Sequence, residues 1–513
     1  MQQFLHLRRF KMKFSESMVT RNQIILSAAL LAGTLFGCGT TRTALPHRVS
    51  PSPPNPLKQL QNNINAILSD SIFISSHAGI KIVSLDSGQV FYEHDNTSLM
   101  NPASNIKLIT SACALAVLDT GYQFKTSVFV NEATRKGDRV QNIYLKGYGD
   151  PNLSTSDLDS LAGTVYRTGI RTIAGNIIID DSFFDDDYWG AGWSWDDESD
   201  PDAPYINALS MNKNCINVSA TADANSISVS LEPETEFVTV INNATIVLDS
   251  IRIPLKIRRL TMSNANTVLI EGEMYRNSQI TRNVPLLRPE LYAGILFRES
   301  LRRAGIIISG NVVNGVVPEG IREIAWHFQP IQQVMECMNK PSDNLCAENT
   351  LKVIGALKNG LPGSAKSGVF IEKIFLSALG MDTTKFSIVD GSGTSRYNLL
   401  NADQLVQFLS AMKKQPRLFP MFYNSLPIAG IDGTIANRMT TSPVLNNLRA
   451  KTGTLLGASC LSGYVRTRDG EMLAFAMMMQ NFITSSSDYR LAQDKIGSLL
   501  AGFSRTNILQ PVP

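Results

Sequence analysis

The chain has 513 residues, enough at roughly 150 residues per domain for about three domains and a sizeable core. With 18% charged and 43% hydrophobic residues it is neither a disordered tail nor a coiled coil. The 47 basic and 44 acidic residues become 42 and 43 once residues 1–37 are set aside, because that stretch holds Arg8, Arg9, Lys11, Lys13 and Arg21 against Glu16 alone; a near-neutral body gives no electrostatic footprint for nucleic acid.

The N-terminus reads as a secretory leader. A basic stretch ending at Arg21 precedes an apolar run from Ile24 to Gly37, the length of a signal core and short for a membrane span. The run ends Leu35-Phe36-Gly37-Cys38, which resembles a bacterial lipoprotein cleavage box and implies a lipid anchor on Cys38 and an exported, periplasmic protein; a plain signal peptide is the other reading. Residues 1–37 are thus expected to be signal peptide. Residues 38–60, with Pro46, Pro51, Pro53, Pro54 and Pro56, are expected to form a tether.

Asn101-Pro102-Ala103-Ser104-Asn105-Ile106-Lys107 opens the next element. Asn101 suits a helix N-cap and Pro102 the first helical position, and Ile109, Ala112, Cys113, Ala116 and Val117 form an apolar face up to a stop near Gly121. Ser104 and Lys107, three apart, share one helix face, so a hydroxyl and an amine lie together where the free N–H groups of a first turn favour negative charge. S-x-x-K alone is weak, since chance supplies it about twice in such a length.

Residues 126–320 read as an inserted, β-rich region, with strand-like runs at 176–179, 226–231, 237–241 and 267–271 and one helix at 293–303. Gly169-Ile170 with Gly175-Asn176-Ile177-Ile178 is echoed by Gly305-Ile306 with Gly310-Asn311-Val312-Val313, which fits an old duplication or two similar turns. Trp193-Ser194-Trp195-Asp196-Asp197 fits a ligand-lining loop or an acidic surface loop on an aromatic core.

Ser342-Asp343-Asn344 opens a helix expected over 345–356; taken alone, all three are also ordinary cap residues. Lys451-Thr452-Gly453-Thr454 precedes strands expected at 458–466 and 472–479, joined by an Arg468-Asp469-Gly470 turn. A closing helix carries Ala492, Ile496, Leu499, Leu500 and Phe503 on one face.

S-x-x-K, S-D-N and K-T-G in that order are the signature of serine penicillin-binding proteins and class A β-lactamases. Asp390-Gly391-Ser392-Gly393-Thr394-Ser395-Arg396, the stretch Ser425 to Thr434, Gly149-Asp150-Pro151 and Ser342 to Glu348 narrow the likeness. Over roughly residues 60–505 the chain resembles the class C low-molecular-mass penicillin-binding proteins, D-Ala-D-Ala carboxypeptidase/endopeptidases. The resemblance implies an α/β (α+β) transpeptidase-like fold: an antiparallel sheet flanked by helices, discontinuous over 61–125 and 321–513, with inserted β-rich domains between. It implies peptidoglycan stem peptides as substrate, β-lactam antibiotics as ligands, and no metal or organic cofactor.

By the same resemblance, Ser104 is the nucleophile and Lys107 its base, with burial and the positive charge of Lys451 lowering the Lys107 pKa. Ser342 and Lys451 carry the proton to the leaving amine, and Asn344 orients Lys107 and the substrate amide. The N–H groups of Ser104 and Thr454 form the oxyanion hole. Lys451 and Thr452, of the Lys451-Thr452-Gly453 motif, bind the terminal carboxylate. Asp197 and Arg396 are expected to bind a zwitterionic diamino-acid side chain, a subsite weakened by Leu456 where relatives often carry Gln.

His6, His47, His77, His94 and His327 show neither H-x-x-x-H nor H-x-H spacing, which argues against a zinc hydrolase built on local ligand pairs. Beyond Cys38 there are Cys113, Cys215, Cys337, Cys346 and Cys460, with no C-x-x-C pair. Cys337 and Cys346 are near enough in sequence to bridge, and buried thiols are the plain reading for most of the five. A β-lactamase shares the three motifs but is usually shorter and lacks the insertion. A non-catalytic cell-wall-binding lipoprotein has no need of Ser104, Lys107 and Lys451 together.

Overall fold

The computed structural model describes residues 55–261 and 264–506. The leader, Cys38 and the tether up to residue 54 lie outside the described residues. The tether is shorter than the Pro-rich composition suggests: Asn55 caps a helix Pro56–Leu68, with Pro56 at its first position and Leu60 and Ile64 buried.

One half of the molecule is built on a five-stranded antiparallel sheet. Across it run Arg449–Leu455, Ala458–Arg466, Met472–Gln480, His77–Ser84 and Val90–His94. The two ends of the sequence therefore meet at its centre, where His77 stands opposite Gln480. Met472–Gln480 is buried at every position, because both faces are covered. Leu473, Phe475, Met477 and Met479 point to the helices Pro56–Leu68 and Ser486–Gly502. Met472, Ala474, Ala476 and Met478 point to a helical layer that includes Ile106–Val117, Asn344–Asn359 and Ala402–Lys413.

The other half has its own core. A mixed sheet runs Val312–Asn314, Ile177–Asp180, Ile143–Gly147, Gln123–Val130 and Arg322–Pro330. Three three-stranded sheets accompany it. The boundaries at 126 and 321 need correction: Gln123–Val130 begins before the first. Arg322–Pro330, counted with the flanking half, pairs antiparallel with Gln123–Val130 and so belongs to this sheet. The region also holds two helices rather than one. The helix expected at 293–303 runs Pro289–Arg303; Thr155–Arg167 was not expected, although Ser154 and Asp157 form a capping box and Leu158, Leu161, Ala162 and Val165 give the buried face.

The echoed glycine segments are structural counterparts. Each follows a helix and contributes two short strands, and the copies pair in parallel, Ile307–Ile308 on Thr172–Ile173 and Val312–Asn314 on Ile177–Ile179.

Candidate active site

Ser104 sits in a 3-10 turn, Ala103–Asn105, and the α-helix proper runs Ile106–Val117. The Asn101 carboxamide oxygen accepts from Ala103 N–H at 2.8 Å, so Asn101 does cap the chain, but as the lead-in to a tighter turn. Ala103 adopts a left-handed φ of 46°. Ser104 is half-buried; Lys107, one turn on, is fully buried.

Three segments close on this turn. Lys107 Nζ lies 3.1 Å from Ser104 Oγ, 2.5 Å from Asn344 Oδ1 and 2.7 Å from the Ser392 carbonyl oxygen. Asn344 opens the helix Asn344–Asn359, whose N-cap is Asp343. Ser342, with φ 69°, accepts from Lys451 Nζ at 2.7 Å. The K-T-G motif, expected ahead of the strands, is part of a strand of its own, Arg449–Leu455 at the sheet edge. Two glycines permit the close approach. A Cβ at Gly453 would lie 2.7 Å from the Pro102 carbonyl oxygen, and one at Gly393, where φ is 84°, would lie 1.9 Å from that of Ala103.

Burial governs the electrostatics. It pushes the Lys107 ammonium down to about 8, while the charges of Asp390, Glu348, Asp343 and Asp202 hold it up. Lys451 is lowered well below the usual lysine value, first by burial and then by the charge of Lys107. Of the two expected causes, burial does lower Lys107, whereas the charge effect between the two lysines falls on Lys451. The Ser392 carbonyl is held in place from behind. Glu348 accepts from the N–H groups of Gly391 and Ser392, and Asp390 from those of Gly393 and Ser395 and from Trp193 Nε1 at 3.0 Å.

Ser104, Ser342, Asn344, Thr452, Thr454, Arg396, Asp197 and Leu456 line one polar cleft, with Lys107 and Lys451 buried at its floor. Asp197 and Arg396 reach the same cleft. Arg396 Nη1 donates to the Leu456 carbonyl at 3.0 Å, and Asp197 accepts from Ser194 N–H. Sequence reasoning quoted Thr434 without a role, though its hydroxyl is 2.7 Å from that of Thr452, and missed two further acids on the cleft wall, Asp200 and Asp202. It quoted Glu348, Asp390 and Ser392 but gave them no task. The Asp202 carbonyl oxygen accepts from Asn344 Nδ2 at 2.5 Å, so the inserted region touches the S-D-N loop directly.

A serine hydroxyl beside a buried amine, inside a mixed α/β fold with a helix-flanked antiparallel sheet, is the arrangement of a serine hydrolase. The D-Ala-D-Ala carboxypeptidase 3 (S13) family model matches residues 60–502, and the chain belongs to that family. It is 32% identical over 440 residues to a D-alanyl-D-alanine carboxypeptidase of Actinomadura sp. strain R39, covering 82% of this chain and 81% of the relative. It is 27% identical to the carboxypeptidase DacB of Haemophilus influenzae over 82% of this chain and 89% of that one. The crystal structure of penicillin binding protein 4 from Haemophilus influenzae superposes with a TM-score of 0.77 at 23% identity, over 86% of this chain and 99% of that chain, which establishes the shared fold.

Proposed function

We propose that the protein is a penicillin-binding serine D-Ala-D-Ala carboxypeptidase acting on peptidoglycan stem peptides, with Ser104 as its acyl-carrying residue. The observation that carries the reading is the contact between Lys107 Nζ and Ser104 Oγ at the floor of a cleft that Lys451 also underlies. Lys107 can donate two hydrogens, to Asn344 Oδ1 and the Ser392 carbonyl. Its lone pair, once the amine is neutral, then faces the Ser104 hydroxyl.

Ser104 Oγ attacks the penultimate D-Ala carbonyl carbon and its proton passes to Lys107 Nζ. The N–H groups of Ser104 and Thr454 stabilise the oxyanion; one such donor is typically worth about 3 kcal/mol. As the C–N bond breaks, the leaving amine takes the Ser342 hydroxyl proton, which Lys451 replaces. Thr452, braced by Thr434, and Lys451 bind the terminal carboxylate. The proton on Lys107 then returns to Lys451 through Ser342. Water attacks the ester carbonyl and gives a proton to neutral Lys107. Lys107 passes it to Ser104 Oγ as the ester C–O bond breaks, which frees Ser104 and the product acid. Asp197 and Arg396, on the wall of the same cleft, bind the amine and carboxylate of a diamino-acid side chain. Export and a lipid anchor on Cys38 complete the reading, supported by the basic-then-apolar leader and the Leu35-Phe36-Gly37-Cys38 box.

The test is labelling by fluorescent penicillin together with D-Ala release from a pentapeptide, in wild type and Ser104→Ala. Wild type should do both and Ser104→Ala neither. Stoichiometric labelling of Ser104→Ala would defeat the assignment.

A further inference from the structure

The loop carrying Ser342 and Asn344 is tied down at three points. Cys337 and Cys346 form a disulfide that brackets it. The Asp343 carboxylate caps the following helix, accepting from Cys346 N–H at 2.7 Å. The other oxygen of the same carboxylate meets Lys213 Nζ at 3.1 Å, and Lys213 comes from the inserted region.

Lys213 is placed with care. It is the middle of three successive left-handed residues, Asn212, Lys213 and Asn214, with φ of 47°, 61° and 55°. Such backbone is strained and persists only where its surroundings enforce it. Here Asn214 Nδ2 donates to the Tyr205 carbonyl and to Ser210 Oγ, and Asn212 N–H to the Leu153 carbonyl. The ammonium so presented also donates to Asn152 Oδ1 at 2.8 Å and lies 2.6 Å from Cys337 Sγ and 3.3 Å from Cys346 Sγ.

We propose that Lys213 is a positioning residue: by gripping Asp343 it holds Ser342 against Lys451 and Asn344 against Lys107. The inference rests on the acyl-enzyme reading above. Lys213 is absent from the lining of the cleft, so it acts through the loop. Its loss should slow chemistry while leaving substrate binding nearly unchanged.

The experiment measures the rate constant for acylation by fluorescent penicillin, and kcat and KM for D-Ala release. The proteins are wild type, Lys213→Met, Lys213→Arg, Asp343→Asn and the Lys213→Met/Asp343→Asn double variant. Asparagine keeps the cap bond of Asp343 and removes its charge. Lys213→Met should lower acylation and kcat about tenfold, roughly 1.4 kcal/mol, with KM within about twofold, and Lys213→Arg should recover most of the loss. Asp343→Asn should lose as much, and the double variant no more than either single one. Should Lys213→Met fail to fold, Asp343→Asn carries the same test alone. Wild-type rates in either variant, or losses that multiply in the double variant, would overturn the inference. Wild-type protein that takes up no penicillin would instead remove the acyl-enzyme reading on which it stands.

Discussion

Gly393 and Ala103 touch backbone to backbone: a Cβ at position 393 would come within 1.9 Å of the Ala103 carbonyl oxygen and 2.9 Å of Ser104 N. Gly393→Ala should therefore push the nucleophile turn aside and slow penicillin acylation about a hundredfold or more, the scale of a misplaced reacting atom. Gly380 shares its left-handed backbone, φ 85°, but has open space around its missing Cβ. Gly380→Ala should cost only about 1 kcal/mol of stability and leave acylation intact. Equal acylation by the two variants would disprove the steric argument.

The pH dependence follows from Lys107. Its folded value lies near 8, below the ordinary 10.5, so the neutral base becomes abundant as pH rises. Acylation measured between pH 6 and 9 should climb with a midpoint near 8, and at pH 6 only about 1% of the amine is free. A flat profile over that range would remove Lys107 from the role of base.

Glu372 offers a stability test away from the chemistry. Burial pushes its carboxyl up to about 8, above the ordinary 4.5. An acid raised in the folded state contributes stability in full below pH 4.5, and that contribution disappears as pH climbs through 8. Glu372→Gln should stabilise the protein by about 2 kcal/mol at pH 9 and leave it almost unchanged at pH 4.5, read from denaturant midpoints. The opposite ordering of the two pH values would contradict the burial argument.

Asp197 tests the side-chain subsite. Asp197→Asn should reduce kcat/KM about tenfold for pentapeptides with a free amine on the diamino acid. For the same peptide with that amine acetylated, the reduction should be under twofold, because the charge that Asp197 meets is gone. Equal losses on both peptides would place Asp197 outside recognition.

The catalytic residues were legible because each motif needs fixed residue types at fixed local spacing, so Ser104 with Lys107, Ser342 with Asn344, and Lys451 could be named before any fold was known. The strand at 458–466 and the closing helix were equally plain from their apolar patterns. What stayed hidden depends on distant backbone. The Ser392 carbonyl carries no side-chain signature, and Thr434 and Asp202 reach the cleft only through the fold. The turn at Ser104 was read as α-helix because capping residues precede both geometries. The K-T-G segment was placed ahead of the strands because it carries no long apolar run, whereas it is itself an edge strand, and Gly453 is where that strand and the nucleophile turn meet. The Cys337–Cys346 bridge was one of two readings, since sequence separation alone cannot say that two thiols face each other.

The paired helix-strand-strand units have a consequence for how this insertion tolerates change. Each copy completes the other's sheets, with Ile307–Ile308 lying beside Thr172–Ile173 and Val312–Asn314 beside Ile177–Ile179. Deleting one copy strips hydrogen-bond partners from the survivor, whose bare edges then invite aggregation.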